Sequence, residues 1–322
     1  MPHGNLARFL DLEPEHVEFR DAVLAGLARQ PRSIPCRFLY DAQGSALFEQ
    51  ICELPEYYVT RTELGILREH APAMARLIGP ACQLIEFGSG ASRKVRLLLD
   101  ALERPAVYAP VDISREFLRE AASLVAGDFP QLAVIAICAD YSDPRVVAGL
   151  PPPGSGRRVG FFPGSTIGNL EPAEAVAFLR GCRAILGPRG GMLVGVDRKK
   201  DHGVLHRAYN DAAGVTAQFT LNLLARVRRE LGAELDVARF AHDASYNADV
   251  GRIEIYARSL ADQLVTVAGH RFAIAAGERL HVENSYKYSR AEFQALAQRA
   301  GFRPAAVWTD PDALFSVHYL EA

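Results

Sequence analysis

Leu84–Leu99 reads LIEFGSGASRKVRLLL. An apolar run ends in Glu86, the chain turns through Gly88, Ser89 and Gly90, and Val95, Leu97, Leu98 and Leu99 then recur on or near one helical face. That order is strand, glycine turn, helix. Such a turn has few side chains to block a ligand, and the helix behind it offers unpaired N–H groups and the positive end of its dipole.

The same alternation extends outward on both sides. Glu63–Ile78 reads as a helix before the strand, and the helix after it runs to Leu102. AVYAPVDIS then forms a second strand ending in Asp112, and EFLREAASLVAG a helix. LAVIAICADYSD is a third strand, with Asp140 and Tyr141 at its C-terminal end. VGFFPGSTIGN is a fourth, ending in Gly164, Ser165, Thr166 and Asn169; after the helix Pro172–Leu186, GGMLVGVDRKKD is a fifth. From about 62 to 200 the pattern is that of an α/β fold with a parallel sheet, and its distinctive polar residues sit at strand C-termini, where open α/β sheets bind ligands. At the far end, the helix SRAEFQALAQRAG precedes FRPAAVWTD and LFSVHYLEA, an antiparallel pair closing the sheet edge. A reversed strand at that edge is typical of class I S-adenosylmethionine-dependent methyltransferases, a Rossmann-like fold.

The remaining segments differ. Residues 5–30 read as one or two amphipathic helices; Gly44-Ser45 reads as a turn before a helix around Ala46–Cys52; Tyr57-Tyr58 follows Pro55. Val204–Arg229 reads as a helix, Asp236–His242 as the way into a loop, and the stretch from Ala257 to Tyr288 as strands with turns at Gly269 and Gly277. The expected division is a cofactor domain over 62–200, completed by 286–322, and a substrate-binding α+β lobe made of 1–61 with 201–285.

Composition narrows the function. With 322 residues, 49% of them hydrophobic, the chain can bury a large core. Its 36 basic and 38 acidic side chains give a net charge of −2, no electrostatic footprint for nucleic acid or an anionic membrane. There is no apolar run of bilayer length and no apolar leader in MPHGNLARFLDLEPEH. Cys36, Cys52, Cys82, Cys138 and Cys182 are scattered without a CxxC pair, which reads as reduced thiols of a cytoplasmic protein. Histidines do not fall at metal-ligand spacing, so no metal is expected. FGSGA lacks the spacing of a serine nucleophile elbow.

The glycine turn EFGSG carries Arg93 where a nicotinamide-binding turn needs its third glycine. With an acidic residue closing the strand, this fits S-adenosylmethionine better than a nicotinamide dinucleotide. Asp112 lies about 20 residues beyond the turn, the position at which dinucleotide-type folds place the carboxylate for ribose hydroxyls, though it could also cap the next helix. Asp140 would sit near the adenine amino group. In HVENSYKY, Glu283 and Ser285 are two apart and share a strand face, so a carboxylate and a hydroxyl could serve both nitrogens of one imidazole; equally, they could be a solvated strand face. Tyr40, Tyr57 and Tyr58 could be core aromatics or hydroxyl donors to a polar ligand. Asn169 could cap the helix after it, and Tyr209 could pack in the second lobe.

Taken together, LYDAQGSALFEQICELPEYYVTRTE (Leu39–Glu63), EFGSGASRKVRLLLDAL (Glu86–Leu102), PVDIS (Pro110–Ser114), FFPGSTIGNLEP (Phe161–Pro172), AYNDAAGVTAQF (Ala208–Phe219) and HVENSYKY (His281–Tyr288) resemble the histidine-specific methyltransferases of ergothioneine biosynthesis. The resemblance spans about residues 20–322. It implies that S-adenosylmethionine is the methyl donor, leaving as S-adenosylhomocysteine, and that L-histidine is methylated three times on its α-amino nitrogen to hercynine. It implies cofactor contacts from Gly88, Lys94, Asp112, Asp140 and Tyr141. Tyr57 (or its neighbour Tyr58), Asn169 and Tyr209 would hold the amine and carboxylate ends, with Tyr40 nearby, positioning rather than acting as acid or base. Glu283 and Ser285 would hold the imidazole. Ile255 stands where relatives carry a methionine in the imidazole pocket. The expected setting is a cytoplasmic monomer with no nucleic-acid or membrane partner. The rival readings are an N-methyltransferase of another amino acid such as tryptophan, a binding protein of the same fold without turnover, and, more distantly, a nicotinamide oxidoreductase.

Overall fold

The computed structural model describes residues 6–12, 19–89, 92–139 and 143–322. From the N-terminus its elements are β1 (Leu6–Asp11), α1 (Phe19–Ala28), α2 (Ala42–Glu53), α3 (Tyr58–Ile78), β2 (Gln83–Phe87), α4 (Arg93–Ala101), β3 (Val107–Asp112), α5 (Arg115–Asp128), β4 (Ala133–Cys138), β5 (Arg158–Phe162), α6 (Pro172–Leu186) and β6 (Gly191–Asp197). There follow α7 (His202–Tyr209), α8 (Val215–Leu231), β7 (Phe240–Asn247), β8 (Arg252–Ser259), β9 (Gln263–Val267), β10 (His270–Ile274), β11 (Arg279–Tyr286), α9 (Arg290–Arg299), β12 (Arg303–Thr309) and β13 (Phe315–Glu321). The described residues divide into two units, one drawn from 6–12, 61–198 and 288–322, the other from 19–60 and 199–287.

The first unit holds a sheet of order β1-β4-β3-β2-β5-β6-β13-β12. β1 to β6 run parallel; β13 runs antiparallel to β6 and to β12. This is the expected parallel sheet closed by a reversed pair, the class I methyltransferase arrangement. β2 is buried at every position, as a central parallel strand covered on both faces must be. The strand order turns back at β2, whose neighbours are β3 and β5, and the loops leaving β2 and β5 flank that switch point. β1 corrects the expectation of a helix at the start of 5–30: Leu6–Asp11 pairs with β4 along the sheet edge. So short a segment fits either period, and the exposed edge of β4 decides the matter.

In the second unit, β11-β8-β7 form an antiparallel sheet and β9-β10 a hairpin. Gly269 (φ +83°) turns the hairpin and Gly277 (φ +82°) the connection to β11, where the sequence placed them. α8 packs on β7 and β8 and also meets α2. Three expectations change here. Gly44 and Ser45 lie inside α2, not in a turn. Asp41 caps that helix, its carboxylate accepting from the Gly44 N–H at 2.7 Å, and a Cβ on Gly44 would stand 1.8 Å from the Leu39 carbonyl oxygen. The glycine serves a close backbone approach. The single helix over 204–229 is two, α7 and α8, broken at Asn210–Gly214; Gly214 has φ +70°, and the Asp211 carboxylate takes the Val215 and Thr216 N–H groups at 2.8 Å each. Finally, Asp236–His242 does not lead into a loop: it passes through a 3-10 turn, Val237–Arg239, into β7. Among the described residues, no helix is long and apolar enough to cross a membrane.

Candidate active site

In the first unit the polar residues gather at the C-terminal ends of β2, β3 and β5. Gly88 leaves β2 at φ +75°, a conformation that disfavours any side chain, and nothing lies within 4 Å of where its Cβ would be. Its N–H donates to the Val111 carbonyl at 2.9 Å, tying the turn to β3. Gly90, Asp140 and Tyr141 lie outside the described residues. Asp112 closes β3 half-buried; its carboxylate accepts from the Ser114 N–H at 2.8 Å, and Ser114, not Asp112, occupies the N-cap position of α5, without a side-chain cap bond. Burial pushes the Asp112 carboxyl up to about 6 against the pull of those N–H donors. Glu86, one strand over, is raised to about 7 by burial although the Tyr108 hydroxyl donates to it at 2.5 Å.

Lys94 stands on α4 with its ammonium 2.6 Å from the carboxylate of Glu63, a fully buried residue of α3. The same carboxylate accepts from the Gly164 N–H at 2.8 Å, and a Cβ on Gly195 would collide with it. Glu63 therefore links the helix behind the β2 turn to the loop behind β5. The sequence pointed to Lys94 but not to Glu63, which reads simply as the start of an amphipathic helix. Asn169 ends a short 3-10 turn, Thr166–Asn169, after β5; the helix behind it is capped by Glu171 through a capping box, so Asn169 is not the cap.

The second unit brings together Tyr40, Tyr57, Tyr209, Glu283 and Ser285. The Tyr57 ring stands edge-on to Tyr209 at 6.1 Å between centroids and near Phe48; Tyr40 packs against Phe48 and Phe219. Tyr58, by contrast, has its hydroxyl on the Lys200 ammonium at 2.6 Å, so the neighbouring tyrosines face different partners. The Tyr209 and Ser285 hydroxyls are 3.0 Å apart. The backbone of Tyr209 is held too: its carbonyl accepts from His242 Nε2 at 2.8 Å, and His242 Nδ1 meets the Thr220 hydroxyl at 2.9 Å. Burial lowers the His242 pKa, which keeps the ring neutral in that bridge.

Glu283 is 8% exposed on β11, and Ile255 of β8 is its cross-strand partner, so both lie on one face of the sheet. Burial pushes the Glu283 carboxyl up to about 7, and the Lys287 ammonium pulls it back. Burial, and after it the Glu283 carboxylate, raises the Tyr40 hydroxyl and the Cys36 thiol, the latter to about 12. Lys287 was absent from the expected set. It follows Ser285 by two in HVENSYKY, so the spacing that paired Glu283 with Ser285 also reaches it. An alternating strand with lysine at its end ordinarily reads as solvated, and that hid it.

One face of a buried strand thus carries a carboxyl and a hydroxyl two residues apart, the hydroxyl beside that of Tyr209. A glycine turn with a carboxylate on the neighbouring strand occupies the other unit. The family model described as histidine-specific methyltransferase, SAM-dependent, matches residues 19–322. The chain is 41% identical over 318 residues to a histidine N-alpha-methyltransferase of Mycolicibacterium smegmatis, covering 97% of this chain and 98% of that one. It is 37% identical to the protein of the same name from Mycobacterium tuberculosis, covering 95% of each. Ergothioneine biosynthesis protein 1 of Neurospora crassa is 33% identical over 87% of this chain, which spans 32% of that longer protein. The chain belongs to the SAM-dependent, histidine-specific methyltransferase family.

Proposed function

We propose that the enzyme transfers three methyl groups from S-adenosylmethionine to the α-amino nitrogen of L-histidine, giving hercynine for ergothioneine biosynthesis. The observation that carries the reading is the β11 face, where Glu283 and Ser285 stand buried beside Tyr209.

The first unit is assigned the cofactor and the second the amino acid. Gly88 suits an adenosyl ligand because the space a side chain would fill is open. Asp112 offers a half-buried carboxylate, the acceptor two ribose hydroxyls need. Lys94 is held by Glu63 and has further N–H donors for the cofactor. Asp140 and Tyr141 complete the set by their place in the sequence. When bound, S-adenosylmethionine supplies an electrophilic methyl group on a cationic sulfur and leaves as S-adenosylhomocysteine.

The chain's own work is positioning and the supply of a neutral amine. Free histidine carries mostly protonated amine at pH 7, and only the neutral form has a lone pair. Tyr57, Tyr209 and Asn169 are assigned to the amine and carboxylate ends, with Tyr40 beside them. Hydroxyl and amide groups hold an amine without adding a fixed negative charge that would favour its protonated form. They also tolerate the bulk that grows with each methyl, as a carboxylate cage would not. Glu283 accepts the imidazole N–H. Ile255, on the same sheet face, supplies an apolar wall.

The working form is proposed to be a cytoplasmic monomer; a net charge of −2 gives it no general attraction to nucleic acid or anionic membranes. Turnover of S-adenosylmethionine with a panel of amino acids tests the substrate assignment. Histidine is expected to be consumed and tryptophan left untouched, and the reverse preference would overturn it. Indole presents one N–H and no second ring nitrogen, so half of the Glu283–Ser285 pair would go unused.

A further inference from the structure

Lys287 has no part in the reading above. It is 1% exposed and lies two residues beyond Ser285 on the face that carries Glu283. Its ammonium stands 2.7 Å from the Tyr209 hydroxyl and 2.8 Å from the Ser285 hydroxyl, which are 3.0 Å from each other. An ammonium only donates, so both oxygens accept from it. The third side of the triangle needs one donor. Either hydroxyl can supply it; we assign it to Tyr209, because a phenol is the stronger acid, which makes Ser285 the acceptor. The Ser285 oxygen then accepts twice, both lone pairs are engaged, and what it offers a ligand is its own hydrogen.

We propose that Lys287 is a positioning residue that commits the Ser285 hydroxyl to donating, so that β11 presents one fixed donor beside one fixed acceptor, Glu283, and selects a neutral azole ring with one N–H and one bare nitrogen. An imidazolium carries two N–H groups and would set one of them against the Ser285 hydrogen. An indole has no bare nitrogen to receive it. This rests on the histidine reading and adds to it the group that fixes the direction of the recognition bond.

The test is a double-mutant cycle of Lys287→Met and Ser285→Ala, measured as KM and kcat for L-histidine, with affinity for S-adenosylhomocysteine as the check on folding. Each single variant is expected to raise KM at least tenfold, with kcat within threefold and the affinity unchanged. The double variant is expected to be no more than threefold worse than the poorer single one, because Lys287 acts through Ser285. Effects that multiply in the double variant, as loss of general packing would, overturn the proposal. So does a Lys287→Met enzyme with wild-type KM. Should Lys287→Met lose its affinity for S-adenosylhomocysteine, Lys287→Gln carries the same cycle. A wild-type enzyme that leaves histidine unmethylated, or a Ser285→Ala enzyme with unchanged KM, defeats the histidine reading itself and is distinguishable from failure at Lys287 alone.

Discussion

On the proposed reading, substrate choice turns on Glu283. A carboxylate brought to 8% exposure has lost most of its water and must be answered by a partner. The Lys287 ammonium, just beyond the end of β11, lowers its carboxyl only in part, and the ring N–H of a bound imidazole would answer it directly. Glu283→Ala is therefore expected to raise KM for histidine by the worth of a charge-assisted hydrogen bond, about 1.5–3 kcal/mol, or ~10–150-fold. Steady-state kinetics with unchanged KM would contradict the imidazole assignment. In the other unit, Asp112→Ala is expected to weaken S-adenosylhomocysteine binding about tenfold or more by calorimetry, with thermal stability little changed. Unaltered affinity would remove Asp112 from the ribose. At this scale the pairing of Glu283 with Ser285 was legible, because strand alternation needs only the sequence. Burial was not legible, and burial separates Lys287 and Glu63 from the solvated charges they resemble. The partners of Tyr57 and Tyr58 also needed coordinates: the two adjacent rings face Tyr209 and Lys200 respectively.

The elements that carry these residues depend on a few tight local contacts. Gly44 sits in the first turn of α2 with the Leu39 carbonyl oxygen where a methyl would go. Gly44→Ala must move backbone, an overpacking cost of about 1–3 kcal/mol, and is expected to lower the melting temperature by several degrees in a thermal scan. An unchanged melt would mean that the Leu39 turn yields freely. Asp211→Ala strips the cap from α8, the helix behind β7 and β8, and is expected to cost about 0.5–2 kcal/mol by denaturant titration. Both features were misread in the sequence, for related reasons. Glycine signals a turn by habit, whereas here it makes room for a carbonyl. A run with continuous helical periodicity gives no sign that an Asx cap interrupts it at Asp211. β1 went unrecognised because six residues are too few to fix a period, and its place comes from pairing with β4.

For the molecule as a whole, the parallel order of β2 to β6 followed from the alternation of apolar runs and amphipathic helices, and the reversed β13 from two strand-like segments at the C-terminus. The neighbours of each strand did not follow, since strand order depends on which helix covers which face. Each unit also buries a carboxyl raised to about 7, Glu86 in the first and Glu283 in the second. A carboxyl that titrates near 4.5 when unfolded and about 7 when folded holds its proton more tightly in the folded state. Its contribution to stability is complete below pH 4.5 and is lost as pH rises to about 7, by at most about 3 kcal/mol for each group. The ligand-free protein is expected to become less stable across that window. Glu86→Gln with Glu283→Gln is expected to flatten the change, as followed by melting temperature against pH, and an equally steep profile in the double variant would contradict it. The central claim is a reaction, and its most direct test is mass spectrometry of L-histidine incubated with the enzyme and S-adenosylmethionine. The account predicts successive gains of one, two and three methyl groups, with fragmentation placing all three on the α-amino nitrogen. Histidine recovered unmodified, or methylated on its ring, would contradict it.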